Sequence, residues 1–86
     1  MTFGERLRQL HRESGLSTHE IAKRLGVTRH AVYQYESGIS TPSLDRILEL
    51  ERIFGLHGGE LIRISAHADV AFDVARALNQ EEVESA

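Results

Sequence analysis

The sequence predicts an all-α fold: five helices, then a helical extension at the C-terminus. Apolar residues recur at spacings of three and four along nearly the whole chain, and no stretch reads as the two-residue alternation of a strand. Ser or Thr precedes the apolar runs and Gly follows them, as expected of residues that start and stop helices.

The first helix lies in "TFGERLRQLHRESG". Thr2 stands three residues before Glu5, the spacing of a capping box, and Phe3, Leu7 and Leu10 share a face. Gly15 is its left-handed stop. "STHEIAKRLG" repeats the pattern, with Ser17 as cap, Glu20 closing the box, and Ile21, Ala22 and Leu25 as the stripe. Gly26 follows directly, Thr28 offers the next cap, and "RHAVYQYES" makes a third helix that ends at Gly38. The short glycine-containing connection fits two helices crossing at a large angle. In "ISTPSLDRILELERIFG", Thr41 reads as the N-cap of helix four, with Pro42 at its first position, where a missing N–H is harmless. Leu44, Ile47, Leu48 and Phe54 form its stripe. A fifth helix follows Gly58 and Gly59, and no Gly or Pro interrupts it through Ala86.

At 86 residues, 41% apolar and 27% charged, the chain has the composition of one small globular domain. It shows neither the apolar length of a membrane span nor the pattern of a signal peptide. The lack of cysteine suits a reducing cytoplasm and removes any thiolate metal site. Histidines at 11, 19, 30, 57 and 67 form no close pair, so neither a metal nor another cofactor is expected. No set of nucleophile, base and orienting group points to an enzyme. The net charge of −3 argues against a nucleic-acid partner, but it is unevenly spread: residues 1–43 balance at +2 and residues 44–86 at −5.

Helix three begins with Arg29 and His30, where the helix dipole disfavours cations. By helical angle Val32 and Tyr35, with Ala31 nearby, face inward, whereas Arg29, His30, Tyr33, Gln34 and Ser37 face outward. A guanidinium can fork onto guanine O6 and N7, and an amide can pair with adenine N6 and N7. The phosphates of a major groove supply the negative field that such a helix start invites.

Residues 3–62, "FGERLRQLHRESGLSTHEIAKRLGVTRHAVYQYESGISTPSLDRILELERIFGLHGGELI", resemble the Cro/C1 phage-repressor family of DNA-binding domains, also called the XRE family. The resemblance rests on "GLSTHEIA", the "LGV" turn, the "YESG" exit from helix three and the "PSL" entry to helix four. It implies a five-helix, lambda-repressor-like helix-turn-helix domain that binds double-stranded operator DNA, usually as a dimer. Carried onto this sequence, it implies base reading by Arg29, His30, Tyr33 and Gln34. Phosphate contacts would fall to Ser17 and Thr18, to Ser37, and to Ser40 and Thr41, with Arg8, Lys23 and Arg24 as accessory cations. Such a protein belongs in the cytoplasm, on the nucleoid, of a bacterium or encoded by a phage.

Two positions depart from the family. His11 stands where an arginine is usual, opposite Glu36; a His11–Glu36 tie would weaken as pH rises through the imidazole's titration range. Glu36 could instead find Arg12, Arg8 or water. Glu51 falls on the apolar stripe of helix four, where it either reaches water at the helix edge or meets an arginine such as Arg63.

Residues 63–86 exceed the domain of residues 1–62. Leu61, Ile64, Ala68, Ala71, Ala75 and Leu78 form a heptad seam if the helix is continuous, flanked by Val70, Val74 and Ala77. The leading expectation is a homodimer through this seam; the other is a helix folded back on helices one and four. The acidic end "NQEEVESA" is expected to fray. Two functions follow: a transcriptional repressor dimerised by its tail, or the antitoxin of a toxin–antitoxin pair that binds DNA and docks a toxin through that tail.

Overall fold

The computed structural model describes residues 1–57 and 59–67, which form α1 (Phe3–Ser14), α2 (Thr18–Leu25), α3 (Arg29–Ser37), α4 (Leu44–Ile53) and α5 (Glu60–Arg63), with no strand among them. Each of the first four helices starts on a hydroxyl. Thr2 caps α1 in a complete box: its Oγ1 accepts from the Glu5 N–H at 3.2 Å, and Glu5 Oε1 accepts from the Thr2 N–H at 3.1 Å. Ser17 and Thr28 cap α2 and α3 through the N–H groups of Glu20 and Ala31. The box expected at α2 is only half made, because the Glu20 carboxylate stays exposed and does not reach back to Ser17.

Helix four starts later than the sequence suggests. Its N-cap is Ser43, whose hydroxyl accepts from the Arg46 N–H, and not Thr41. Pro42 lies outside the helix with its side chain fully buried, so its ring serves the core and not the first turn.

The connection from α2 to α3 is a Schellman turn. Gly26 adopts the left-handed conformation (φ 75°), its N–H donates to the Lys23 carbonyl, and the Val27 N–H donates to Ala22 O at 3.0 Å. A Cβ would be strained at that φ, which explains glycine in so short a turn. The chain is thereby turned into α3 within residues 26–28.

Both α1 and α2 pack against α3, α4 packs against α2 and α5, and α1 also meets α5. Leu7, Leu10, Ile21, Val32, Ile47 and Leu61 are among the buried side chains of the shared core. The apolar stripe of α4 is wider than its sequence pattern: Leu50 is buried as completely as Ile47, while Leu44, Leu48 and Phe54 are only partly covered. A helix packed on two neighbours needs more than one face apolar.

Two contacts are set by close approach between elements. Gly4 is buried where α1 crosses the end of α3, and a Cβ there would press on the Glu36 carbonyl oxygen and lie 2.9 Å from its carbon. Glu51 is 5% exposed, and its Oε2 accepts from the Leu61 N–H at 2.9 Å. Neither water nor Arg63 is its partner. The carboxylate caps the N-terminus of α5, which begins on Gly59 and has no side-chain cap of its own. A buried carboxylate is tolerated when it accepts such a bond at the positive end of a helix.

The fifth helix is short. It ends at Arg63, and turns and a bend follow over residues 64–67, so a continuous helix from Leu61 onward is not what the described residues show. Arg6 reaches across to it, with Nη2 and Nε at 2.6 and 2.8 Å from Glu60 Oε1. No helix among the described residues is long and apolar enough to cross a membrane.

Candidate nucleic-acid interface

Helix α3 buries Val32, Tyr35 and Glu36 against α1 and α2 and turns its other side outward. Arg29 and His30 are exposed in its first turn, Tyr33 is 56% exposed, and Gln34 is half-buried. Among the described residues, none of these four side chains takes part in a hydrogen bond or ion pair. The helices α1, α2, α4 and α5 each carry an acidic residue in the first turn, Glu5, Glu20, Asp45 and Glu60, whereas α3 carries none. The positive end of α3, with two basic side chains beside it, is therefore a local concentration of positive potential facing solvent.

The position of α3 is held from behind. His11 Nδ1 lies 2.9 Å from Glu36 Oε2, with the two side chains 18% and 6% exposed, so the carboxylate's partner is His11 and not Arg8, Arg12 or water. Together with the close approach at Gly4, this fixes the C-terminal half of α3 against α1.

The hydroxyl groups suited to phosphate fall into two places. Ser17 is exposed and Thr18 half-buried at the start of α2; Ser17 Oγ already accepts from the Glu20 N–H and keeps its own proton to donate. Ser37, Ser40 and Thr41 are brought together at the end of α3 and in the connection to α4, where they line one groove with Arg8 of α1. Ser37 donates its proton to the Gln34 carbonyl at 3.3 Å, so in this arrangement it is poorly placed to donate to an anion. Arg8 came from the sequence only as an accessory cation; its proximity to the connecting loop is a tertiary fact.

At the start of α1 the hydrogen bonds from the Thr2 side chain, and then from its backbone, hold the Glu5 carboxyl below its ordinary value. Among the described residues, no group of His, Asp and Glu could hold a metal ion.

Of the six residues expected to form a dimer seam, Leu61 is corrected. It is fully buried in its own domain, because α5 docks on α4 and its N–H is held by Glu51. Ile64 is 38% exposed beyond the end of α5. Ala68, Ala71, Ala75 and Leu78 lie outside the described residues.

A family model described as a helix-turn-helix domain matches residues 2–63. The chain is similar to the SPbeta prophage-derived uncharacterized HTH-type transcriptional regulator YonR of Bacillus subtilis, at 35% identity over 80 residues, 93% of this chain and 71% of that protein. It is 49% identical over 51 residues to a Pyrococcus furiosus protein named as an HTH-type transcriptional regulatory protein, a match covering 59% of this chain. It is 36% identical over 81 residues, 91% of this chain, to a Thermococcus kodakarensis protein of the same description. The matches span only 16% and 26% of those two archaeal proteins. The phage CTXphi transcriptional repressor RstR of Vibrio cholerae is 30% identical over 60 residues, 70% of this chain and 54% of that protein. No solved structure matches significantly. With its two helices, tight glycine turn and outward α3, the chain belongs to the helix-turn-helix family of transcriptional regulators.

Proposed function

We propose that this chain is a sequence-specific double-stranded DNA-binding repressor of the Cro/C1 type that acts as a homodimer, with α3 in the major groove. The observation that carries the reading is the outward face of α3, where Arg29, His30, Tyr33 and Gln34 are unengaged beside a helix start without a carboxylate. An unpaired cation at the positive end of a helix is unfavourable in the free protein and becomes favourable when phosphates surround it. Arg29 and Gln34 supply the two bidentate base contacts, to guanine and adenine, and Ser17 and Thr18 position the unit on the backbone. Two copies on one operator would set their α3 helices about 34 Å apart, one turn of DNA. Residues 68–78, with the heptad spacing of Ala68, Ala71, Ala75 and Leu78, are the proposed dimer contact.

Selection of bound duplexes from a random pool tests this directly. A palindromic site with half-sites about ten base pairs apart is expected. Arg29→Ala should cost about 1–3 kcal/mol and relax preference at one base position, whereas Thr18→Ala should weaken all sequences alike. Failure to enrich any sequence, with tight binding to a co-purifying small protein instead, would replace the repressor by the antitoxin reading.

A further inference from the structure

Charge is divided along the chain at the end of the described fold. Residues 1–67 hold nine Arg and Lys against eight Asp and Glu, whereas residues 68–86 hold one against five. Within the fold the carboxylates are the more committed group. Glu5, Glu36, Glu49, Glu51 and Glu60 each accept a hydrogen bond or an ion pair, while of the Arg and Lys side chains only Arg6 and Arg52 are paired with a carboxylate among the described residues. The charge left over is therefore mostly positive. It is concentrated in residues 21–35, which contain Lys23, Arg24 and Arg29 and no Asp or Glu. All three cations are exposed, and none has a side-chain partner among the described residues. Glu20 stands one turn before Lys23 and Arg24 on α2 and pairs with neither. The turn at Gly26 leads from the end of α2, with Lys23 and Arg24, directly to the start of α3, with Arg29. Residues 77–86 have the opposite character: Glu81, Glu82 and Glu84 without a cation.

We infer that Glu81, Glu82 and Glu84 dock within their own chain on Lys23, Arg24 and Arg29 and compete there with DNA. This contact presupposes the DNA-binding reading above and adds regulation of the same face by the chain's own acidic segment. Carboxylates take the place of phosphates at the same ammonium and guanidinium groups. Glu81 lies 14 residues beyond His67, a reach of up to about 46 Å at about 3.3 Å per residue. An exposed ion pair is weak, and three of them would not hold the same segment as a separate peptide. Tethering makes the contact intramolecular, at an effective concentration in the millimolar range, where weak pairs suffice. The apparent Kd for DNA rises as the inverse of the fraction of chains whose face is open, so a face covered about two-thirds of the time binds about threefold more weakly. Only residues beyond Leu78 are used, which leaves the proposed dimer seam available.

The chain has no cysteine, so Ser85→Cys accepts a single nitroxide label on the full chain. At about 50 mM salt the label should broaden backbone amide signals centred on residues 23–29, and duplex DNA or about 500 mM salt should restore them. In a mixture, isotope-labelled chains that carry no nitroxide should keep sharp signals at those residues, which places the contact within one chain. Joint replacement Glu81→Gln, Glu82→Gln and Glu84→Gln should tighten binding to an unrelated duplex about threefold at low salt. Loss of negative charge also raises affinity through the general field, which acts alike on any background. The same replacement in a Lys23→Gln, Arg24→Gln chain should therefore gain much less, and that difference measures the contact itself. Broadening elsewhere or nowhere, broadening passed between chains, or equal gains in the two backgrounds overturns the inference and leaves the DNA-binding reading intact. Broadening at residues 23–29 that no duplex displaces, in a chain that binds no duplex, overturns the DNA-binding reading and the competition with it.

Discussion

Replacing Glu51 with alanine removes the carboxylate that accepts from the Leu61 N–H at 2.9 Å inside the core. The amide left behind has no water to turn to, since Leu61 is 0% exposed and Glu51 only 5%. A hydrogen bond to a charged group contributes about 1.5–3 kcal/mol, and orphaning a buried donor costs about 1–3 kcal/mol. These describe the same event from two sides, and removing the carboxylate also relieves its own desolvation. We therefore expect Glu51→Ala to cost about 2–3 kcal/mol. Glu51→Gln keeps an acceptor of the same length and should cost about 1 kcal/mol, the difference between a charged and a neutral bond. Glu49→Ala, which breaks an exposed pair with Arg52, should cost less than about 0.5 kcal/mol. At about 0.05–0.15 kcal/mol per residue, residues 2–63 hold about 3–9 kcal/mol in total. Glu51→Ala would consume a large share of that and lower Tm by about 10–20 °C. Urea melts followed by circular dichroism measure the order, and hydrogen exchange at Leu61 measures the local effect. If all three variants fall within about 0.5 kcal/mol of one another, Glu51 does not cap α5 and the reasoning fails.

Gly4→Ala pits helix propensity against packing: the added methyl should raise Tm by the propensity gain of up to about 1 kcal/mol in an open helix, but here it meets the backbone of α3. Overpacking of about 1–3 kcal/mol or more should win, so Tm should fall; a rise would refute the close approach. Glu36→Gln at pH 6 should cost about 1 kcal/mol by weakening the bond with His11, and a double-mutant cycle with His11→Ala should show coupling of at least 0.5 kcal/mol. The Glu5 carboxyl is held below its ordinary 4.5 in the folded chain, so its stabilising effect is present above pH 4.5 and is lost as pH falls through the lowered value. The stability difference between wild type and Glu5→Gln should accordingly close as the pH drops below 4.5, and a difference independent of pH would refute the capping box as its source.

What the chain revealed without its fold was local. Thr2, Ser17 and Thr28 were legible as caps, Gly15 as a left-handed stop, and Gly26 and Gly38 as marking where α2 and α3 end, because each acts on N–H or C=O groups within a few residues. The face of α3 was legible for the same reason: burying Val32 and Tyr35 sends His30 and Tyr33 to the other side of any helix and leaves Arg29 on its flank. The start of α4 was misplaced: Thr41 was read as its cap, whereas Ser43 caps it and the ring of Pro42 is buried in the core.

The sequence by itself determined the all-α class, the starts of the first three helices and the side chains that α3 turns away from the core, since backbone geometry and hydrogen-bonding reach are properties of short segments. Only the tertiary structure decided that Glu51 would cap α5, that Gly4 would let α1 touch α3, that Leu61 would be buried at home, and that Arg8 would stand across a groove from Ser40 and Thr41. Each of these joins residues from different elements. Their distances depend on how helices dock, which is set by the packing of the whole core and is not encoded in any one stretch of the chain.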